Sequence, residues 1–219
     1  MPKTIKKFAA YAVSGFFLDV NNINDIPAYE DNMKSIFQLA NSTYGVDQKC
    51  INGYNKDPNS YWKCMFTPYE SQFIESPIFM TNSIFDSWQA ATIFGPDPDY
   101  KNCLHDISSC TPEQLNKRNA QGVTTWKTIT QSNLYQKKNS QNGGFVYSCF
   151  SHCGAGNNKM WVNLIVNNVS MNKLIEKIAM LTLGAMALLI LCFMLILCYN
   201  HDCIFTDVVV TIAQLSARS

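Results

Sequence analysis

The stretch that decides the fold is Pro77-Ile-Phe-Met-Thr-Asn-Ser-Ile-Phe-Asp-Ser-Trp-Gln89. Its first seven residues, 77–83, are a candidate strand that runs on into Asp86. The chain repeats this arrangement twice, because a candidate strand over 9–17 ends at Asp19 and another over 145–147 leads to His152. A polar, chemically active side chain therefore follows each of the three candidate strands.

Helical patterns separate these strands. Apolar residues at three- and four-residue intervals predict a short amphipathic helix over 31–40, and residues 41–75 have the composition of a loop. Thr111-Pro112-Glu113-Gln114 has the form of a capping box and predicts the start of a long helix, with Gly122 as its weak point. Its expected buried face comprises Leu115, Val123, Trp126, Ile129 and Leu134.

Strands that alternate with helices predict a parallel α/β fold. In such sheets the functional residues collect at the carboxyl ends of the strands. Asp19, Asp86 and His152 each lie just past such an end, so they are candidates for a hydrolase site.

Six of the nine cysteines lie in polar, loop-like sequence at short spacings, which is typical of an oxidised framework in a secreted or lumenal protein. Spacing alone does not fix how these cysteines pair, and we favour Cys50–Cys64 and Cys103–Cys110 as disulfides because they are close in sequence. Cys149 and Cys153 then pair either with each other or with missing partners.

A metal site is the alternative interpretation of Cys149-Phe-Ser-His152-Cys153. This stretch offers one zinc knuckle without an obvious second one, and no Cys-x-x-Cys occurs in the chain, so we expect neither a metal nor another cofactor. The net charge of +1 and the scattered lysines also argue against nucleic-acid binding. Glycosylation sequons at Asn41 and Asn168 fit a lumenal compartment.

Residues 178–199 form an apolar run without a charged side chain. As a helix this run would be roughly 33 Å long, which matches the hydrocarbon core of a bilayer, so we expect a transmembrane helix. Lys173 and Lys177 precede it and would place the globular part in the cytoplasm. The cysteines and sequons argue the reverse, and we give them more weight, which places the globular part outside the cell or in a lumen.

The amino terminus imitates a signal peptide, because three lysines precede an apolar run over 8–18. Ser14-Gly15 interrupts this run, and no small-x-small cleavage site follows before Asp19. A buried parallel strand is the competing interpretation.

Four blocks of the sequence strongly resemble the pectin acetylesterase/Notum family, in the family's order and at comparable spacing. They are Ser14-Gly-Phe-Phe-Leu-Asp19, the block 77–89, Asn102-Cys103 with Cys110, and Ser148-Cys-Phe-Ser-His-Cys153. The likeness runs from Val13 to Trp161. The form Asp86-Ser-Trp-Gln89 is more similar to the pectin acetylesterase branch than to the Notum branch.

This resemblance implies an α/β-hydrolase fold and the removal of acyl groups, such as acetyl groups from cell-wall polysaccharides. It makes Asp86 the acid and His152 the base of a Ser-Asp-His triad. The plainer alternatives are an aspartate that caps the next helix and a histidine on a surface loop. Asp19 and His105 are expected to lie outside the site.

The family's nucleophile block has no counterpart here. The resemblance puts it about 30 residues before the segment like Ser14–Asp19, and no Gly-x-Ser-x-Gly occurs in the sequence. Ser14-Gly15 imitates it but matches a different block. The amino-terminal run is therefore expected to be a strand, the chain alone to be inactive, and the open sheet edge to need a protein partner.

These observations predict a partial α/β-hydrolase fold, made of its carboxyl-terminal strands and helices, followed by one transmembrane helix. The expected divisions are a truncated hydrolase domain over 1–170, a juxtamembrane linker over 171–177, the membrane helix over 178–199 and a tail over 200–219. The expected function is hydrolysis of an acetylated polysaccharide or another acyl ester. Two alternatives stay open, namely an inactive membrane-anchored binding protein on the same scaffold and a cytoplasmic, reduced metal-binding protein.

Overall fold

The structure, a computed structural model, describes residues 9–95, 98–136 and 142–176. These residues form two compact units. The sheet unit comprises residues 9–15, 76–83 and 142–176, and the helical unit comprises residues 16–75, 84–95 and 98–136.

A three-stranded parallel sheet organises the sheet unit. Strands β1 (Ala10–Val13), β2 (Ile78–Ser83) and β3 (Gly143–Tyr147) lie in chain order, with β2 in the middle. The predicted parallel α/β arrangement is thus confirmed. The first strand is shorter than the expected 9–17, because Ser14 has a φ of 50° and leaves the extended conformation.

The core of the sheet unit lies against β3, whose five residues are all buried. Phe145 and Tyr147 pack there with Met160 of helix α8 (Asn158–Asn163). Met171 and Ile175 belong to the same core, so the folded part extends past the boundary expected at residue 170 into the segment expected to be a linker.

A small antiparallel hairpin follows α8 in the sheet unit. Its strands β4 (Ile165–Val166) and β5 (Val169–Ser170) are joined by Asn167 and Asn168, whose φ angles are 50° and 63°. Positive φ at both central residues is the requirement of a type I′ turn, and asparagine tolerates it better than most residues.

Helices make up most of the helical unit. They are α1 (Ala28–Leu39), α2 (Gln48–Gly53), α3 (Thr67–Glu70), α4 (Ser87–Gln89), α5 (Pro98–His105), α6 (Pro112–Gln131) and α7 (Asn133–Gln136). Short 3-10 helices cover Ser42–Tyr44, Pro58–Met65 and Ile107–Ser109, and Ala90–Phe94 forms one π-helical turn. A further 3-10 turn, Gly154–Gly156, belongs to the sheet unit.

The prediction of a loop over 41–75 is wrong, since most of this segment is helical. Its helices are too short to show an apolar period, and aspartates begin two of them: the Asp47 side chain accepts from the amide of Lys49, and Asp57 accepts from that of Asn59. Trp62 and Phe66 of this segment are buried in one hydrophobic cluster, and Tyr54 and Tyr61 are partly buried against it.

The long helix α6 begins as predicted, with both hydrogen bonds of the Thr111–Gln114 capping box present. Its buried face agrees with the expected one only in part, since Ile129 is buried whereas Val123 is 52% exposed. The buried residues of the helix are Arg118, Gln121, Gly122, Thr125 and Ile129. Gly122 lies on this face because the ring of Phe85 occupies the space that a side chain would need there.

Two disulfides close loops in the helical unit, Cys50–Cys64 and Cys103–Cys110, and both are the favoured pairs. Cys149 is disulfide-bonded as well, but no bond joins it to Cys153 within the described residues.

Within residues 9–95, 98–136 and 142–176, no helix is long and apolar enough to cross a bilayer. The predicted transmembrane helix over 178–199 lies outside the described residues, as does the tail over 200–219.

Candidate active site

Asp86 follows the carboxyl end of β2 by three residues and begins helix α4. Its side chain is buried, with 1% of its surface exposed, and accepts a hydrogen bond of 2.9 Å from the amide of Gln89. The helix-capping alternative for Asp86 is therefore present in the structure. Capping is compatible with the catalytic role that the sequence predicts for Asp86, because a carboxylate has more lone pairs than one amide can use.

Gln89, at the end of the same block, is a structural residue that sequence reasoning missed. Its side chain is 1% exposed and bonds the segment after β1 twice: Oε1 accepts from the amide of Leu18, and Nε2 donates to the carbonyl of Phe16, both at 3.0 Å. The Gln89 side chain thus supplies hydrogen-bond partners to the backbone of Phe16 and Leu18, two residues that are themselves buried. Because these contacts join residues more than 70 positions apart, no local pattern announces them.

His152 lies in the loop over 148–153, which follows the carboxyl end of β3 in the sheet unit. The residue is half-buried in this loop, so the alternative of a histidine on a surface loop stays open beside the catalytic one. Cys149 within this loop is disulfide-bonded and 3% exposed, which anchors the loop next to the histidine. Asp86 belongs to the helical unit and His152 to the sheet unit.

Two buried serines hold the ends of the loop that carries His152. The Ser14 Oγ accepts a hydrogen bond of 2.8 Å from the amide of Cys153, and the Ser83 hydroxyl donates to the carbonyl of Cys149. Ser14 follows β1, and Ser83 ends β2. Sequence reasoning gave Ser14 no role; its place directly after an apolar strand was the only signal in the sequence.

Asp19 belongs to a polar cluster of the helical unit. Its Oδ2 accepts a hydrogen bond of 2.6 Å from the hydroxyl of Tyr69. Burial raises the pKa of Asp19 above its usual range, against the lowering effect of that hydrogen bond, and the nearby Glu30 raises it further. Lys34 forms an ion pair with Glu30 and places its ammonium 4.7 Å from the centre of the Trp62 ring. These contacts connect α1 to the segment after β1, which is a structural role.

His105 is exposed, as expected, although it ends helix α5 rather than lying in a loop. Four of the six framework cysteines are consumed by the two complete disulfides and hold no thiolate for a metal. Among the residues that the structure describes, no three histidine, cysteine, aspartate or glutamate side chains come together as a metal site would require. Asn41 and Asn168 are both exposed, and their glycosylation stays a prediction.

Comparisons with known proteins show to which family the chain belongs. The model of one protein family, described as pectinacetylesterase, matches residues 2–182. The chain belongs to the pectinacetylesterase family. The resemblance inferred from the four sequence blocks is thereby confirmed.

Curated members of the pectinacetylesterase family are distant relatives of this chain. Pectin acetylesterase 5 of Arabidopsis thaliana is 25% identical over 169 residues, which cover 75% of this chain and 38% of the relative. Pectin acetylesterase 11 of the same plant is 25% identical over 167 residues, which cover 74% of this chain and 40% of the relative. This pectinacetylesterase-family chain therefore spans about two fifths of the length of these relatives.

Solved structures show the same fold. The Wnt deacylase Notum from Drosophila matches with a TM-score of 0.58 at 17% identity, over 78% of this chain and 43% of that one. A second crystal form of that protein gives a TM-score of 0.52 at 15% identity. At this identity the likeness establishes a Notum-like α/β-hydrolase fold for this member of the pectinacetylesterase family.

Proposed function

We propose that this chain supplies the acid and the base of a carboxylic ester hydrolase that removes acetyl groups from a polysaccharide. Asp86 is the acid, and His152 is the base. The observation that carries the proposal is the place of each side chain after one of two neighbouring strands. In a parallel sheet of the pectinacetylesterase family, the carboxylate follows the end of β2, and the imidazole follows the end of the neighbouring strand β3.

The two side chains differ in what they contribute to such a reaction. The imidazole of His152 takes the proton of the attacking hydroxyl and returns it to the leaving sugar oxygen. The carboxylate of Asp86, which is already held in place by the amide of Gln89, orients the imidazole and stabilises its protonated form. Neither side chain attacks the ester itself, so the reaction also needs a nucleophilic serine and an oxyanion hole.

No Gly-x-Ser-x-Gly block occurs in this sequence, and the chain spans about two fifths of its relatives. For this chain the proposal is therefore limited to the acid and the base. The activity is tested on the protein as its natural host expresses it. The substrate class follows from the relatives, which are pectin acetylesterases by name.

The test is acetate release from acetylated pectin by that protein in four forms: wild type, Asp86→Ala, His152→Ala and the control His105→Ala. We expect the first two substitutions to lower kcat/KM by at least about a hundredfold, since each removes a proton-transfer group or its support. The exposed His105 is expected to have no such effect. Equal acetate release by wild type and His152→Ala, or none by the wild type, contradicts the proposal.

A binding protein on the same scaffold is the second candidate, and the absent Gly-x-Ser-x-Gly block favours it. This second function requires that the full chain bind acetylated pectin without releasing acetate. His152→Ala then leaves the dissociation constant unchanged, which distinguishes this function from the hydrolase.

We also propose that residues 178–199 anchor the protein in a membrane with its globular part outside the cell or in a lumen. The uncharged apolar run and the two complete disulfides support this placement. Alkaline carbonate extraction of membranes, followed by protease digestion of sealed vesicles, tests it. Release of the protein by carbonate contradicts the anchor. Digestion of the globular part by protease added on the cytoplasmic side contradicts the orientation.

A protein partner is proposed for the open edge of β1. Among the described strands β1 pairs on one side, with β2, and all four of its residues are partly exposed. A parallel strand added there would complete the hydrogen bonding of the edge. The full chain is expected to associate or aggregate at micromolar concentration, and a purely monomeric chain in sedimentation contradicts this.

A further inference from the structure

The loop over 148–153 is tied to the carboxyl ends of all three parallel strands by hydroxyl groups. At the end of β1, Ser14 Oγ accepts from the amide of Cys153 at 2.8 Å, and at the end of β2 the hydroxyl of Ser83 donates to the carbonyl of Cys149. At the end of β3, the hydroxyl of Tyr147 lies 3.5 Å from Ser151 Oγ. All of these groups belong to the sheet unit.

Both partners of the first of these bonds have unusual backbone conformations. Ser14 has a φ of 50° and Cys153 a φ of 54°, in the left-handed region that residues with a Cβ rarely adopt. Such conformations persist where the surrounding structure imposes them, and they concentrate at functional sites. Here one hydrogen bond joins the two strained residues directly, and Cys153 is the immediate neighbour of His152.

The environment of Ser14 excludes the role of nucleophile for this residue. Its side chain is 1% exposed, and its oxygen already receives an amide hydrogen. A nucleophile needs an exposed hydroxyl whose proton is taken by a base. Burial therefore separates the Ser14 hydroxyl from solvent, and its hydrogen bond holds the backbone of the loop.

We propose that Ser14 and Ser83 are positioning residues that fix both ends of the loop over 148–153 and thereby the orientation of the His152 imidazole. Ser14 holds the amide on the carboxyl side of the histidine, and Ser83 holds the carbonyl on its amino side. That this orientation matters for catalysis rests on the proposed function. That the two serines restrain the loop does not depend on that function.

Ser14→Gly in the isotope-labelled full chain tests this inference most directly. Glycine accepts a φ of 50° without strain, so the variant removes the hydroxyl and preserves the backbone. We expect hydrogen exchange of the Cys153 amide to accelerate about fivefold, the factor that corresponds to one neutral hydrogen bond. The ring signals of His152 in a carbon–proton NMR spectrum shift at the same time.

Asn41→Gly is the matched control. Asn41 has a φ of 48°, nearly that of Ser14, and lies in the helical unit, so this variant makes the same backbone change elsewhere. It is expected to leave the Cys153 exchange rate and the His152 signals unchanged. A general loosening of the fold by glycine would move both readouts in both variants and would overturn the inference.

Ser83→Ala tests the other end of the loop without a change in backbone preference. We expect it to shift the His152 ring signals and to leave the exchange rate of the Cys153 amide within twofold of the wild type. Unchanged His152 signals in both Ser14→Gly and Ser83→Ala would overturn the positioning role. If these signals respond while His152→Ala leaves acetate release intact, the positioning stands and the proposed catalytic function fails.

Discussion

Gln89 shows how one side chain can stabilise a segment distant from it in sequence. We predict that Gln89→Leu, which keeps a similar volume, lowers the free energy of unfolding by at least about 2 kcal/mol, because the amide of Leu18 and the carbonyl of Phe16 lose their partners in a buried setting. Urea unfolding followed by circular dichroism measures this.

Two further variants make the Gln89 prediction specific. Gln89→Glu keeps an acceptor for the Leu18 amide and loses the donor to Phe16, so its effect is expected to be smaller when the carboxyl is protonated. Gln38→Leu, at an exposed position of α1, is expected to change stability by less than about 0.5 kcal/mol. Equal losses at both glutamines would rule out the two buried hydrogen bonds as the cause.

Asp19 predicts a dependence of stability on pH. Burial raises its pKa in the folded protein, so the folded state binds the proton more tightly than the unfolded state does. Its contribution to stability is therefore complete below the ordinary pKa of an aspartate and is lost as the pH rises through the raised value. Between about pH 4 and pH 7 the wild type should lose more stability than Asp19→Asn, measured by urea midpoints.

Asp106 supplies a control of opposite sign. The hydroxyl and the amide of Ser108 both donate to its carboxylate and lower its pKa. Its contribution is present above the ordinary pKa and is lost as the pH falls through the lowered value, so Asp106→Asn should lose less stability on acidification than the wild type. The same pH trend in both variants would contradict these assignments.

At the scale of elements, helix α6 combines a start that the sequence predicts with a buried face that it predicts only in part. We predict that Gly122→Ala destabilises the protein, although alanine favours a helix by about 1 kcal/mol. A Cβ at this position would lie 2.5 Å from Cε1 of Phe85, and overpacking of this kind costs about 1–3 kcal/mol. Thermal unfolding measures the net loss.

Asn119→Ala controls for helix propensity in α6. This position is exposed, so alanine should raise the free energy of unfolding by a few tenths of a kcal/mol through propensity alone. If Gly122→Ala stabilises the protein as Asn119→Ala does, then Phe85 yields to the added methyl group and the close packing is not important.

The difference between the start of α6 and its buried face shows which features a sequence can predict. The capping box lies within four consecutive residues, Thr111–Gln114, so a local pattern reveals it. The buried face depends on Phe85, which is 37 positions from Gly122 and comes from another element. Likewise, the strands and the places of Asp86 and His152 just past them follow from local patterns, whereas the contacts of Gln89 and Ser14 join residues far apart in the chain.

At the scale of the whole molecule, a disulfide that closes a longer loop is expected to contribute more to stability. We predict that the double variant Cys50→Ala/Cys64→Ala lowers the free energy of unfolding by about 3 kcal/mol, as expected for a separation of 14 residues. Cys103→Ala/Cys110→Ala, with a separation of 7, should cost less. Denaturant titration compares the two, and the reverse order would show that packing of the sulfur atoms outweighs loop closure.

The order of strands in the sheet has a consequence for how the chain folds. β1 and β2 pair although 64 residues separate Val13 from Ile78 (78 − 13 − 1), so the chain must close a long loop before either strand gains hydrogen bonds. The helices and the Cys50–Cys64 disulfide within residues 16–75 form through contacts much closer in sequence. High contact order therefore slows the sheet relative to the helices, and we expect refolding to restore helical circular dichroism well before the tertiary signal of the aromatic residues around β3.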